Sequence, residues 1–228
     1  MDHQLESVRT ESLLDLSQTL AAPLLETCEY PWLALAAIQS FILQLGPELP
    51  PDEYEQAGDG IWIARSARVA PSASIHGPVI IGAEAEIRHC AFIRGSAIVG
   101  CNAVVGNSTE LKNVVLFNRV QVPHFNYVGD SVLGFRAHLG AGAITSNVKS
   151  DHTLVRLNID GYRADTGLKK FGAVLGDLVE VGCNSVLNPG TVIGRRTSVY
   201  PLSSVRGVIP ADCIVKSGHE IVVREARG

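Results

Sequence analysis

Several things are scarce in this sequence. Aromatic residues are 6% of its 228 residues, charged residues 18%, and there is one methionine. With 46% hydrophobic content, so little charge excludes an intrinsically disordered chain. There is no basic excess: 19 Lys and Arg face 23 Asp and Glu, a net charge of −4, which argues against nucleic acid as a partner. The longest apolar stretch, residues 32–45, is broken by Gln39, Ser40 and Gln44 and is too short to span a bilayer, so no membrane partner is expected. The opening residues carry acids where a secretory signal needs positive charge followed by an apolar run. Five cysteines with no CxxC pair make a disulfide framework unexpected and fit a reducing compartment. These absences together predict a soluble, cytoplasmic protein.

Glycine is abundant, at 22 residues, and the chain repeats. Stepping by six from Ile63 meets Val69, Ile75, Ile81, Ile87, Ile93, Val99, Val105, Leu111 and Phe117, all large and apolar. Four residues after each stands a small or β-branched side chain, as at Ala67, Ala73, Val79, Ala85, Ala91, Ala97 and Ala103. The pattern returns as Leu133 and Leu139, then as Leu175, Val181, Leu187, Ile193, Val199 and Val205. A period of six is the signature of hexapeptide repeats in a parallel β-helix, three hexads to one triangular coil. Residues 59–148 account for five coils of three hexads each, and residues 171–210 for roughly two more. Large aliphatics stack inside the prism, and small residues take its tight corners. Ordinary sandwich strands would alternate with period two.

Two regions depart from the repeat. Residues 1–58 form a separate N-terminal segment, with Leu and Ala at helical spacing over residues 10–22 and 31–45 and then a Pro- and acid-rich linker. It is expected to dock as a cap on one end of the prism formed by residues 59–228. Within the prism, the phase slips between Phe117 and Leu133, and a polar insertion at about residues 149–169 is expected to leave as an external loop. Function is sought at such breaks, where packing no longer dictates the residues. The first break holds His124, Asn126 and Tyr127; histidine is the usual general base near neutral pH. Gly140-Ala141-Gly142 beside it offers bare backbone to a ligand.

The run VPHFNYVGDSVLGFRAHLGAGAITSN resembles the acetyltransferase half of the bifunctional bacterial enzymes that make UDP-N-acetylglucosamine, members of the hexapeptide-repeat acyltransferases. The resemblance implies a left-handed β-helix that works as a homotrimer and uses acetyl-CoA as co-substrate. It further implies that His124 is the catalytic base. Arg94, Lys112 and Lys170 would hold a sugar phosphate, and Tyr127 and Asn147 would contact the sugar or its phosphate. Ala141 and Cys183, the latter where the family usually has serine, would line the acetyl-CoA groove, with Arg206 near the CoA phosphates.

The chain also departs from that family. No Gly-rich nucleotide loop precedes the repeats, so nucleotidyl transfer is not expected. After Asn147 an Asn-Tyr-Asp-Gly turn is replaced by Val148-Lys149-Ser150 and the insertion, which would overhang the acceptor pocket and change the acceptor. The reading is an acetyl-CoA-dependent N-acetyltransferase for an amino-sugar phosphate or nucleotide-linked amino sugar. A non-catalytic sugar-phosphate binder or scaffold on the same fold is the alternative. A metal-dependent, carbonic anhydrase-like enzyme is a third, but of the histidines 3, 76, 89, 124, 138, 152 and 219 no two are five apart, as its close pair requires, and no metal is expected.

Overall fold

The computed structural model describes residues 5–159, 162–216 and 220–224. It is a left-handed parallel β-helix of about 8 turns. Each coil contributes a short strand to three faces. The first face runs through Val79–Ile81, Ala97–Val99, Ala173–Leu175 and Thr191–Ile193. The second runs through Glu86–Ile87, Val104–Asn107, Gln121–His124, His138–Leu139 and Glu180–Val181. The third includes Phe92–Ile93, Ile144–Thr145 and Val186–Leu187. Two longer strands, Glu110–Leu116 and Tyr127–Leu133, turn the corner from third face to first without a break.

The corners are set by backbone. After the first coil most corners hold a left-handed residue: Glu84, Cys90, Ser96, Asn102 and Ser108, six apart, have φ of 51–59°. That conformation costs an L-residue energy, so it survives only where the ladders on either side fix it. Inside, Ile87, Val105, Val122, Leu139 and Val181 stack in register on the second face, all 2% exposed or less.

Coil length varies along the prism. Val79 pairs with Ala97, a full three hexads on, but Ala97 pairs with Val114 and Val114 with Ser131, each one position short of that spacing. Val132 pairs with Val174 across the whole insertion, and Val192 with Val208, two positions short of three hexads. From second face to third the spacing stays at six throughout, as from Glu86 to Phe92, Gln121 to Tyr127 and Glu180 to Val186. Every change of length therefore falls at one corner, between the third face and the next first face. The first slip lies between Leu111 and Leu116, earlier than the Phe117–Leu133 break read from the sequence: Leu116, not Phe117, stacks on Val99. Phe117 kept the sequence phase because it is apolar and buried one residue beyond the stack.

The N-terminal segment does not cap an end. It runs the length of the first face, against the direction of the coils. Asp177 N–H donates to Leu13 O (3.0 Å), Asn118 N–H to Gln18 O (2.9 Å) and Asn113 Nδ2 to Leu35 O (3.1 Å), while Gly46 lies on the ring of Trp62 in the first coil. First-face residues point outward as well as inward, and Ile80, Ile98, Val115, Val132, Val174 and Val192 are all buried beneath this strap. The reason is visible in Val79-Ile80-Ile81 and Val114-Val115-Leu116, runs apolar on both sides, as in a strand covered on both faces.

The insertion also differs from an overhanging loop. It leaves at Asn147 and returns at Phe171, whose N–H donates to Asn147 O (3.0 Å). Between them Arg156–Ile159 pairs antiparallel with Tyr162–Asp165. This hairpin folds down along the corner of the later coils, burying Val155, Leu157 and Ile159. A Cβ on Gly190 would lie 2.6 Å from Val155 Cγ1, so the glycine makes room for the hairpin. No helix among the described residues is long and apolar enough to cross a membrane.

Candidate functional site

The third face separates two corners, and the sequence-predicted residues divide between them. On the corner between second and third faces stand His124, Ala141 and Cys183, in consecutive coils. Backbone bonds stack them: Gly142 N–H donates to His124 O (3.0 Å), Asn184 N–H to Ala141 O (2.9 Å) and Leu202 N–H to Cys183 O (2.9 Å). His124 is exposed, and its imidazole makes no hydrogen bond to a described residue. Its backbone is fixed, since His124 N–H donates to Asn126 Oδ1 (3.1 Å). Asn126 is 2% exposed and spends its Nδ2 on Gly140 O and Ala143 O (2.9 and 3.1 Å). It therefore shapes the turn that presents His124 and does not itself face a ligand. Phe125 beside it is 63% exposed despite a left-handed φ of 53°, and Leu202, on the same corner, is 79% exposed with φ 61°.

The opposite corner, where coil length varies, gathers Arg94, Lys112, Tyr127 and Asn147. Arg94 Nη1 donates to Glu110 Oε1 at 2.7 Å, and the guanidinium lies 5.9 Å from the centre of the Phe92 ring. Glu110 pairs in register with Tyr127. Asn147 Nδ2 donates to the Tyr127 hydroxyl (3.2 Å) and to Asp130 Oδ2 (2.5 Å). Lys112 Nζ lies 3.0 Å from both oxygens of Asp130. Burial, then the charge of Asp130, push the Tyr127 hydroxyl above the usual tyrosine range, so it stays neutral and able to donate at physiological pH. Lys170 is exposed, next to Phe171 where the insertion returns. Arg206, also exposed, donates from Nη2 to Asn188 Oδ1 (3.0 Å), further along this corner and apart from Ala141 and Cys183.

Glu110 and Asp130 were not singled out from the sequence, yet each holds one of the predicted cations. The signal for Asp130 was its neighbour: Gly129-Asp130 fills a corner that elsewhere takes one residue more, as in Arg94-Gly95-Ser96. Among the described residues no three His, Cys, Asp or Glu side chains converge on a point that could hold a metal ion; His3 and His219 lie outside the described residues.

A model of the GMPPB C-terminal domain matches residues 75–198. The chain is 33% identical over 135 residues to the bifunctional protein GlmU of Methanococcus vannielii, covering 59% of this chain and 32% of that protein. It is 34% identical over 151 residues to a bifunctional sugar-1-phosphate nucleotidylyltransferase/acetyltransferase of Sulfurisphaera tokodaii, covering 58% and 38%. The chain thus spans about a third of the length of the curated relatives it matches. Among solved structures it is similar to AntD, an N-acyltransferase from Bacillus cereus in complex with dTDP and coenzyme A, at 18% identity and a TM-score of 0.35, covering 72% of this chain and 82% of that one.

Proposed function

The chain belongs to the GMPPB C-terminal domain family, and from that premise we propose that it is an acetyl-CoA-dependent N-acetyltransferase acting in the cytoplasm on an amino-sugar phosphate or a nucleotide-linked amino sugar. One observation carries the reading. A free imidazole and a stack of small residues occupy one edge of the third face, while a cluster of cations, amide and phenol occupies the other. One relative, that of Sulfurisphaera tokodaii, is named for acetyl transfer among its activities.

In this reading acetyl-CoA lies along Ala141 and Cys183, where small side chains leave backbone N–H groups open to the carbonyls of its arm. The acceptor sugar lies across the third face toward Tyr127, with Arg94, Lys112, Asn147 and Lys170 meeting its hydroxyl and phosphate oxygens. His124 Nε2 or Nδ1 takes a proton from the sugar amine as its nitrogen attacks the thioester carbonyl. A tetrahedral oxyanion forms, backbone N–H groups of the glycine-rich turns can stabilise it, and collapse breaks the C–S bond. The leaving thiolate takes a proton to give free CoA and the N-acetyl sugar.

A second copy completes the site in this proposal. No described carboxylate orients His124, and Phe125 and Leu202 stand exposed on its corner. A homotrimer packed around that corner would cover both and bring in a neighbour's groups. Light scattering at micromolar concentration is expected to give three copies, and a monomer that turns over would remove the interface site.

The test is thiol release from acetyl-CoA against glucosamine-1-phosphate and UDP-linked amino sugars. Release that depends on one acceptor and falls at least about a hundredfold in His124→Ala supports the reading. Wild-type turnover in that variant would overturn the role of His124. The non-catalytic reading is favoured by one fact, that Arg94 and Lys112 are already neutralised by Glu110 and Asp130. It predicts ligand binding without release across the whole panel, and unchanged affinity in His124→Ala.

A further inference from the structure

We infer that Asp130 is the positioning residue of the acceptor corner, holding Lys112 and Asn147 in place and tying both to the N-terminal strap through Asn113. The inference deepens the acetyltransferase reading and rests on it for the link to acceptor binding. Asp130 is 3% exposed, and its carboxylate takes every donor around it. Oδ1 accepts from Lys112 Nζ (3.0 Å) and Asn113 Nδ2 (2.9 Å), and Oδ2 from Lys112 Nζ (3.0 Å) and Asn147 Nδ2 (2.5 Å). A buried carboxylate of this kind is stable only with such donors, and it fixes their positions in return.

The arrangement follows from coil length. Lys112-Asn113 and Gly129-Asp130 are the two corners shortened by one residue, and Asn113 and Asp130 are their left-handed residues, with φ of 55° and 46°. Loss of one residue brings the Asp130 side chain beneath Lys112 of the preceding coil. Asn113 uses the same amide nitrogen on Leu35 O of the strap and on Asp130. Asp130 O accepts from Gly172 N–H (2.8 Å), just after the insertion returns. Strap, insertion and site residues thus meet at one aspartate. A role in folding alone would not call for a charge here, because Asn113 already satisfies Leu35 O. The carboxylate adds a fixed ammonium at the mouth of the corner and a fixed amide, Asn147, against the Tyr127 hydroxyl.

Gly129 supplies an independent probe. A Cβ there would lie 2.6 Å from the Tyr127 hydroxyl oxygen and 2.9 Å from Asn147 Nδ2, both movable side-chain ends, so Gly129→Ala displaces the site and leaves the backbone in place.

The experiment compares wild type, Asp130→Asn and Gly129→Ala in two ways. The first is modification of Lys112 relative to Lys170 by acetic anhydride on the folded protein, read by mass spectrometry. The Lys112 amine is packed against both Asp130 oxygens, with its side chain only 28% exposed, so its release in Asp130→Asn is expected to make it more reachable and raise the ratio several-fold. An unchanged ratio overturns the inference whether or not the protein turns over. The second is the kinetic split: both variants are expected to raise the acceptor KM about tenfold, the worth of one charge-assisted hydrogen bond, with the acetyl-CoA KM unchanged. A raised labelling ratio with an unchanged acceptor KM would overturn the link to the acceptor. A parallel loss of melting temperature and of both KM values would reduce Asp130 to a fold residue. Absence of turnover in the wild type, with the labelling ratio raised, would count against the acetyltransferase reading and leave the positioning role standing.

Discussion

Asp177 joins the strap to the prism by two bonds and holds the neighbouring coil by a third. Its Oδ1 accepts from Phe135 N–H and its Oδ2 from Asp15 N–H, both at 2.8 Å, and its own N–H donates to Leu13 O. Burial outweighs those donors and the nearby Arg195, pushing the Asp177 carboxyl above the usual aspartate range. A carboxyl whose folded pKa is raised binds its proton more readily in the folded chain than in the unfolded one. Its contribution to stability is therefore full below the unfolded value of about 3.9 and fades as pH rises through the folded value. Asp177→Asn keeps one acceptor and turns an NH2 toward the second amide, so it is expected to cost about 1–3 kcal/mol. In denaturant titrations at several pH values, the gap between wild type and variant is expected to narrow from pH ~4 to pH ~7. A gap that widens with pH would contradict the raised pKa.

The first face is the element on which the molecule depends most, because it is apolar on both sides. Ile98 is fully buried between the prism core and the strap, whereas Ile144, on the third face, is 37% exposed. Ile98→Ala is expected to lower stability by about 2–5 kcal/mol, and Ile144→Ala by less than about 1 kcal/mol. Equal losses would mean that the strap does not pack as described. The same face shows how far the sequence could be read. The six-residue period exposed the prism, since inward positions must be apolar whatever the function. Ile80 and Ile98 also carried the strap's footprint, but a hexad search scores one residue in six and passes over them. The candidate site was legible where the family resemblance points to particular side chains, as at His124, Tyr127 and Lys112, whose roles are those proposed above. Glu110 and Asp130 were not, because an acid beside a base on a prism surface looks like ordinary solvated charge until the coils are stacked. Nor could hexad phase locate the first slip: an apolar Phe117 happened to stand one residue past the stacking position of Leu116.

At the scale of the whole molecule, three departures from regular coil length share one edge: the shortened corners, the insertion and the last, shortest coil. The other two edges keep their count from coil to coil. The prism therefore works as a ruler with one erasable margin. Residues removed or added at that margin shift no ladder elsewhere, since each coil re-enters the first face in register, as Val174 does beneath Val132 after the detour through the hairpin. That margin also carries Arg94, Lys112, Asn147, Lys170 and Arg206. In the proposed reading, recognition can thus be rewritten by trimming or lengthening a single turn, without renegotiating the core, and a protein engineer can graft there for the same reason.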